Sequence, residues 1–542
     1  MKEGPERVVL DTSIMEVHNI VSSNGTNRLQ SERPQQVKKF LGRLSAQPPI
    51  LHVAFIGLLY TIIVAITIAE KRPWFDEGGY ANPAYNLLNH GHLGMPILLS
   101  QREFWPSVDY YTFHAPPLWF LFQTAWYGLV DFGVFQMRTL SAVFGLILVI
   151  SLYLFTRRIT SNHWVGLLAA IIVATDCNIT HWAGDGRMDV MCAALGFSAI
   201  AAYVCLRERH FGIAIIVSQA LVVASGLTHP AGILYLIGML ALVLFFDRRR
   251  IGLRHILLGV LPILAGALGW GVYIIQDFEA FRTQFFGNYA EREDRFLSEP
   301  LAEFGRYISP AFGLDEHAEG LARLKVLQLI AYWGAILAFL MLPRVRSEIQ
   351  VGPIFMLLLI TLVGMAILLG GPVLPYLVHI IPLYAAMLAA VIWVAIRGTK
   401  MIRWVAVIFV VVLVGIQAGG PVMKYFLQNS YRTAYLPAVE KISELRRPGD
   451  VIIASSEFGF AFGFEGEVID DFNLGTHHDF VGDIVVIGRN YDKIHNELEV
   501  DQPERFRLLV ERLNGMYDKV FDGSEYKIYV LRNPHVSSHP NS

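Results

Sequence analysis

Ionisable side chains cluster in two short segments of a chain that is otherwise largely apolar. Asp76 and Glu77 are adjacent in the first segment, and Arg187 and Asp189 stand close together in the second, which begins at His181. Charged groups beside apolar runs are costly to desolvate, which makes them candidates for function. A carboxylate can accept a proton or orient a sugar hydroxyl, and a guanidinium fork fits a phosphate group. The first pair is equally typical of an acidic helix start.

Further candidate residues lie where polar loops meet apolar runs. They are His114, Arg138, His229, Tyr376 and His379. His114 precedes a Pro-Pro pair that opens an apolar segment, and Arg138 begins another. Arg138 is a candidate phosphate ligand, although an arginine at such a place is often an interfacial side chain whose charged end reaches water. The other residues are candidate substrate-binding groups or packed interface residues.

The composition places these residues in a membrane protein. Hydrophobic residues make up 54% of the chain and charged residues only 17%, against about 25% in soluble proteins. Apolar runs of about 20 residues recur along the chain, and each can cross a hydrocarbon core of about 30 Å. The net charge of −2 gives no footprint for nucleic acid. The three cysteines fall in or beside apolar runs, so no disulfide framework is expected.

The apolar runs predict a mainly α, polytopic α-helical membrane protein with about 11 spans. They are predicted at 50–69, 139–155, 164–180, 190–206, 211–226, 230–246, 255–275, 327–342, 352–370, 376–396 and 404–420. The aromatic-rich stretch 117–134 is left out and is predicted to lie along the membrane surface. With that assignment the Lys and Arg residues of the short loops all fall on one side, as the positive-inside rule requires.

The chain is predicted to have three parts. Residues 1–47 form a polar cytoplasmic leader that is expected to be disordered, and 48–420 form the transmembrane catalytic domain. Within that domain, 70–137 is the first outer loop with interfacial helices, and 276–325 is an outer loop that can act as a lid. Residues 421–542 form a small extracytoplasmic α/β domain, interpreted as accessory or acceptor-docking.

The C-terminal domain is predicted from alternating helical and strand patterns. Helices are expected at 436–447 and 503–514, and strands at 451–454, 483–487 and 526–531.

Taken together, the motifs resemble the GT-C superfamily of membrane glycosyltransferases, in the branch that contains protein O-mannosyltransferases and lipid A aminoarabinose transferases. The resemblance rests on Asp76-Glu77, His114-Ala-Pro-Pro-Leu, Arg138-Thr-Leu and Arg187-Met-Asp189, in this order and on one membrane side. It covers most of 50–400. It implies a polyprenyl-phosphate sugar donor and inverting transfer. It also implies Asp76 as the catalytic base, with Asp189 at the second acidic position.

The predicted reaction transfers a sugar from a lipid phosphate to a hydroxyl of an acceptor protein, lipid or glycan on the outer face of the membrane. Asp76 would accept the hydroxyl proton, with Glu77 and Asp189 as further catalytic carboxylates, while Arg138 and Arg187 stabilise the departing phosphate. The remaining substrate-binding residues are His114, His229, Tyr376 and His379. No cofactor is certain, and Mg²⁺ or Mn²⁺ held by Asp76 and Asp189 is an open alternative.

Other functions stay open. A transporter or flippase of a lipid-linked sugar would place polar residues near the bilayer midplane, on broken helices within inverted repeats. Here the polar residues gather at one membrane surface, and the sequence shows no internal repeat. A ligase that moves a whole glycan would use similar residues in a wider cleft, and a non-catalytic scaffold would need none of them. The predicted location is a bacterial inner membrane, with the site and the C-terminal domain outside the cytoplasm.

Overall fold

The structure is a computed structural model that describes most of the chain. The described residues are 49–101, 105–287, 302–314, 320–369, 373–476 and 480–532. The predicted leader at 1–47 and two parts of the predicted lid, 288–301 and 315–319, lie outside the described residues.

The part predicted to cross the membrane folds into helices α1 to α14. They are α1 (Pro49–Glu70), α2 (Phe75–His90), α3 (Leu118–Val130), α4 (Val134–Thr160), α5 (His163–Thr175), α6 (Cys177–Ala183), α7 (Met188–Leu206), α8 (Phe211–Thr228), α9 (Ile233–Asp247), α10 (Leu253–Ile274), α11 (Val326–Met341), α12 (Gly352–Leu368), α13 (Leu377–Ile396) and α14 (Lys400–Leu427). Short helices at Phe278–Phe281 and Pro343–Glu348 lie in the connections.

The predicted spans correspond to helices. In the described residues, 9 helices are long and apolar enough to cross a membrane, and α5 with α6 makes a tenth if the bent pair is one span. The remaining predicted span is α12, which has 17 residues. Helix α3 has 13 residues and so a length of about 20 Å, too short for a core of about 30 Å. The fold class is therefore confirmed as a mainly α, multi-pass membrane protein; the place of α3 along the membrane surface stays a prediction.

The span predicted at 164–180 is not one straight helix, because the chain bends by 62° between α5 and α6. The cause is Asp176, whose Oδ1 accepts the backbone N–H groups of Asn178 (2.8 Å) and Ile179 (3.1 Å) and caps α6. Its Oδ2 accepts the hydroxyl of Tyr332 (2.9 Å) and the side-chain amide of Gln328. The buried carboxylate is thus hydrogen-bonded on both oxygens by protein groups.

Successive spans run in opposite directions, so that their termini meet at two ends of the bundle. At one end Arg138, near the start of α4, donates to the carbonyl of Ile68 in the last turn of α1 (3.0 Å). At the other end Arg158, near the end of α4, donates to the carbonyl of Val204 in α7 (3.2 Å). The described basic loops used for the positive-inside assignment lie at this second end. The candidate residues lie at the first.

The C-terminal domain follows α14 and contains a mixed sheet between helices. Its elements are α15 (Leu436–Leu445), β1 (Ile452–Ile453), β2 (Val468–Ile469), β3 (Ile484–Gly488), α16 (Arg489–Asp501), α17 (Pro503–Met516), β4 (Tyr517–Asp522) and β5 (Tyr526–Leu531). The strand order is β2-β1-β3-β5-β4, parallel through β3 and antiparallel beyond it. Tyr491 and Leu498 of α16 pack with Val485 and Ile487 of β3 in the core of the domain.

The C-terminal domain packs directly on the first turn of α2. The hydroxyl of Ser456 donates to the carbonyl of Phe75 (2.6 Å), and the N–H of Asp470 donates to the carbonyl of Ile97 (2.8 Å). A methyl group on Gly78 would lie 2.1 Å from the carbonyl oxygen of Ser456. Only glycine allows the backbone of Ser456 to approach α2 so closely. Gly78, in the helix that carries Asp76, is therefore required for the observed position of the C-terminal domain.

We expect Gly78→Ala to weaken this contact. The added methyl group would force backbone to move apart, and overpacking of this kind costs about 1–3 kcal/mol. The matched control is Gly79→Ala, whose methyl group would meet nothing closer than the Met95 side chain at 3.8 Å. Thermal unfolding of the purified full chain should show a lower midpoint for Gly78→Ala than for Gly79→Ala. Equal midpoints would show that the approach is not required.

Candidate functional site

The Glu77 side chain is fully buried and lies in the first turn of α2. Its carboxylate accepts Nε of Arg138 on Oε1 and Nη2 of Arg138 on Oε2, each at 2.7 Å. It also accepts the backbone N–H groups of Trp74 (3.2 Å) and Gly186 (3.1 Å). Burial disfavours the carboxylate, but Arg138 outweighs this and keeps the pKa of Glu77 below its usual value. Glu77 is thus a charged group held by four donors.

Arg138 has all five N–H groups engaged within the protein. Besides the bidentate pair with Glu77, it donates to the carbonyls of Ile68 (3.0 Å), Lys71 (2.8 Å) and Arg72 (3.1 Å). The side chain is fully buried. A guanidinium used in this way ties the end of α1 to α2 and α4, and a phosphate could reach it only by displacing these contacts.

Arg187 bridges two of the predicted catalytic carboxylates. Its Nε donates to Oδ2 of Asp189 (2.8 Å), and its Nη1 is paired with Oδ2 of Asp76. The guanidinium also lies near the ring centres of Trp74 (5.3 Å) and Tyr80 (5.6 Å). Burial alone would lower the pKa of Arg187, but Asp189 and Asp76 raise it, so the group is a permanent cation.

The two carboxylates beside Arg187 differ in access. The Asp76 side chain is 21% exposed, whereas that of Asp189 is fully buried. Oδ1 of Asp189 makes no hydrogen bond within the described residues, and Nε2 of His229 lies 4.0 Å from it. Nδ1 of His229 accepts the N–H of Ala231 (3.1 Å), so a neutral ring carries its proton on Nε2, facing Asp189.

Tyr376 and His379 extend the cluster from the start of α13. The ring of Tyr376 lies 5.2 Å from that of His229 and 6.3 Å from that of His379. Nδ1 of His379 lies 2.9 Å from the hydroxyl of Tyr235, and its Nε2 has no hydrogen-bond partner in the described part of the chain.

His114 joins the cluster through aromatic contacts. Its ring lies 4.8 Å from that of Trp105 and is stacked with that of Tyr80 at 6.1 Å. Tyr80 is one helical turn after Asp76 and contacts Arg187. The structure therefore brings all the sequence-predicted residues into one connected cluster at one end of the bundle.

Sequence reasoning missed a residue from the predicted lid. Arg306 is fully buried, and its guanidinium lies 5.5 Å from the ring centre of Tyr376. It pairs with Glu303 (2.8 Å) and donates to the carbonyl of Val373. The charge density of 276–325 indicated that the loop matters, but it did not single out Arg306.

Lys71 and Asp185 form a second buried pair that the sequence did not reveal. They make a direct ion pair, and Nζ of Lys71 lies 3.4 Å from Nε2 of His181. Burial lowers the pKa of Lys71 and raises that of Asp185. The pair lines a cleft of about 620 Å³ beside the C-terminal domain.

The two carboxylates of the predicted metal pair, Asp76 and Asp189, are bridged by Arg187. No group of three or more His, Cys, Asp or Glu residues in the described chain is arranged to hold a metal ion. The Arg187 guanidinium contacts both Asp76 and Asp189, so it already supplies the positive charge between them. Arg187 contacts Oδ2 of each carboxylate, and metal dependence stays a prediction.

Part of the chain matches a known protein family, and the fold is similar to that of solved structures. A family profile described as dolichyl-phosphate-mannose-protein mannosyltransferase matches residues 114–273. The structure of ArnT from Cupriavidus metallidurans bound to undecaprenyl phosphate is similar, with a TM-score of 0.56 at 13% identity, covering 90% of this chain and 98% of that chain. The apo state of the same protein gives a TM-score of 0.54 at 14% identity, with the same coverage. No curated protein sequence matches the chain.

These likenesses concern fold more than sequence. The family match covers membrane helices from α3 to α10, and the structural match extends over the C-terminal domain as well. The predicted resemblance to GT-C membrane glycosyltransferases is confirmed, and the chain has their fold.

Proposed function

We propose that this chain moves a sugar from a polyprenyl-phosphate donor to an acceptor hydroxyl, with inversion, and that Asp76 is the general base. The observation that carries the proposal is the difference in solvent exposure among the three clustered carboxylates. All three carboxylates are paired with arginines, but Asp76 is partly exposed, whereas Glu77 and Asp189 are fully buried. Of the three, Asp76 alone is open to an incoming hydroxyl.

The reaction proceeds by direct displacement at the anomeric carbon. The acceptor oxygen forms a bond to this carbon while its proton passes to the Asp76 carboxylate. The bond from the anomeric carbon to the phosphate oxygen breaks on the opposite face, and its electron pair leaves with the lipid phosphate. General base catalysis of this kind contributes about 10²–10⁴ to the rate.

Arg187 is the cation best placed to stabilise the leaving phosphate. Two of its nitrogens, Nε and Nη1, hold Asp189 and Asp76, while Nη2 makes no hydrogen bond to another described residue. A fixed guanidinium in a site that excludes water stabilises developing charge without reorganisation. Tyr376 and His379 connect to this cluster through His229, and His114 connects through Tyr80; we assign these three residues to binding of the donor head group.

Glu77, Arg138 and Asp189 are assigned positioning roles in place of direct catalysis. Glu77 and Arg138 saturate each other and nearby backbone groups, so neither has an atom for substrate. Asp189 orients Arg187 from a fully buried position. These roles differ from the sequence-based expectation of a second catalytic carboxylate and a phosphate-binding Arg138.

The donor class and the location follow from the likenesses and the charge pattern. ArnT was solved with undecaprenyl phosphate, which supports a lipid-phosphate donor for a chain of the same fold. The basic loops lie at the end of the bundle opposite the cluster, which supports a site outside the cytoplasm. A bacterial inner membrane remains our proposed location.

The test is donor turnover by the purified full chain in lipid nanodiscs. A panel of radiolabelled polyprenyl-phosphate sugars is supplied, and release of free polyprenyl phosphate is measured. We expect one donor to lose its sugar, and we expect turnover to survive EDTA because Arg187 supplies the charge between the carboxylates. Loss with EDTA and recovery with Mn²⁺ or Mg²⁺ would favour the metal alternative. Consumption of none of these donors would contradict the proposal.

The same panel separates the rival functions. A flippase would move a fluorescent lipid-linked sugar between leaflets without releasing its lipid phosphate. The bent helix at Asp176 resembles the broken helices of transporters, but the acceptor atoms of that carboxylate are hydrogen-bonded by protein. A glycan ligase would instead consume only donors that carry a whole oligosaccharide.

A further inference from the structure

A groove beside Asp76 runs between the membrane domain and helix α16 of the C-terminal domain. Its volume is about 1110 Å³, and Trp74 and Phe75 form one wall while α16 forms the other. Pockets for small ligands measure about 300–1,000 Å³, so this groove has room for an extended molecule. Phe75 lines the groove and directly precedes Asp76, the proposed base, in the chain.

The wall formed by α16 is one face of the helix, and it is mostly polar. Residues spaced by three and four along the helix share one face, and this face contains Asp492, Asn496 and Val500. The opposite face carries Tyr491 and Leu498, which are buried in the core of the domain. The groove face is therefore not needed to hold α16 in place.

The opposite wall is an aromatic corner. The rings of Trp74 and Phe75 meet almost at a right angle, 83°, with their centres 5.2 Å apart. Phe75 stays 37% exposed although it is apolar. Aromatic faces carry partial negative charge and attract the C–H groups of a sugar ring, so an exposed aromatic corner beside polar side chains suits a carbohydrate.

The charges of the groove disfavour a phosphorylated acceptor. Its lining has four carboxylates against three cations, and one of these cations, Arg72, is paired with Glu525. Another, Lys493, lies 3.8 Å from Glu497. Asn490 and Asn496 add amide groups that both donate to and accept from hydroxyls. The balance fits an uncharged chain that is rich in hydroxyl groups.

We infer that this groove binds the acceptor, and that the acceptor is a neutral glycan chain whose terminal hydroxyl reaches Asp76 from the side of the C-terminal domain. The inference rests on the proposed function, since it names the second substrate of that site. It also gives the C-terminal domain a role in binding, because α16 supplies most of the groove lining.

The experiment places one bulky residue in the groove and an equal one outside it. Asn496→Trp fills the groove, whereas Leu508→Trp lies on an exposed position of α17 that does not line it. Asn496→Ala is a milder second variant that removes only the amide. Binding of a panel of neutral gluco-, manno- and galacto-oligosaccharides to the full chain in nanodiscs is followed by saturation-transfer NMR.

We expect native protein and Leu508→Trp to bind at least one neutral oligosaccharide, and Asn496→Trp to bind it at least about tenfold more weakly. The affinity of Asn496→Ala for the oligosaccharide should lie between those of the native protein and Asn496→Trp. Hydrolysis of the lipid-phosphate donor without acceptor should be the same for native protein and Leu508→Trp, because Leu508 does not line the groove. Equal binding by both Trp variants, or no binding at all, would overturn the inference.

The alternatives give distinct results. Binding of a Ser/Thr-containing peptide library, sensitive to Asn496→Trp, would replace the glycan with a protein acceptor. Binding of a phosphorylated glycolipid in the same way would replace it with a lipid. Failure of the proposed function is a different outcome, since it shows as absence of donor turnover whether or not oligosaccharides bind.

Discussion

Asp76→Asn should lower kcat for sugar transfer by about 10²–10⁴, with little change in stability. Asparagine has the size of aspartate and keeps an oxygen that can accept from Arg187. It cannot take the proton of the acceptor hydroxyl, so the attacking oxygen loses its base. The measurement is single-turnover release of polyprenyl phosphate from the donor identified by the panel, in the presence of acceptor.

The matched control is Asp131→Asn, at the end of α3. Asp131 is exposed, and asparagine has the same size, so this substitution removes a charge and keeps the shape of the side chain. The Asp131→Asn variant should leave the rate of sugar transfer unchanged. Full transfer by Asp76→Asn would remove Asp76 from the chemistry. A loss shared by both variants would point to a general effect of lost charge on the protein.

Most of the fold was predictable because membrane spans are read from local composition. Each predicted span corresponds to a helix or to the bent pair, since a stretch of about 20 apolar residues has few other stable structures in lipid. The bend at Asp176 was missed because its partners, Gln328 and Tyr332, come from α11, far along the chain. A single acid in an apolar run does not reveal such partners.

The C-terminal domain was predicted in part for a similar reason. The apolar strands β3 and β5 stand out by composition, whereas β2 has two residues and β4 alternates little. Helix α16 was missed because its sequence, RNYDKIHNELEVD, is strongly polar and only one narrow face is buried. That same polar face forms the proposed acceptor groove, so the least predictable helix carries a proposed function.

The sequence indicated which charged residues are candidates, but not which of them form ion pairs with each other. Sequence position showed that Glu77, Arg138, Arg187 and Asp189 are unusual near a membrane, but pairing depends on how the helix termini meet. The structure pairs Glu77 with Arg138 and Asp76 with Arg187. The pair of Glu77 and Arg138 is buried and fully hydrogen-bonded, whereas the pair of Asp76 and Arg187 is partly exposed. Mutations of the two pairs are therefore expected to have different effects.

Breaking the buried pair should therefore act on stability before catalysis. Glu77→Gln or Arg138→Met leaves one uncompensated buried charge, which costs about 3–5 kcal/mol. Arg138→Lys should also destabilise, because an ammonium cannot replace five N–H donors in a fixed fork. The apparent thermal midpoint and the yield of folded full chain in detergent should fall for each single variant.

The double variant Glu77→Gln/Arg138→Met tests the origin of the effect. It removes both charges together, so its loss of stability should be smaller than the sum of the two single losses. KM for the donor, measured on the folded fraction, should stay near that of the native protein, since we propose that both residues position the site and do not bind substrate. A raised donor KM for Arg138→Met at unchanged stability would instead make Arg138 a phosphate ligand, and the five donors would have to be released when donor binds.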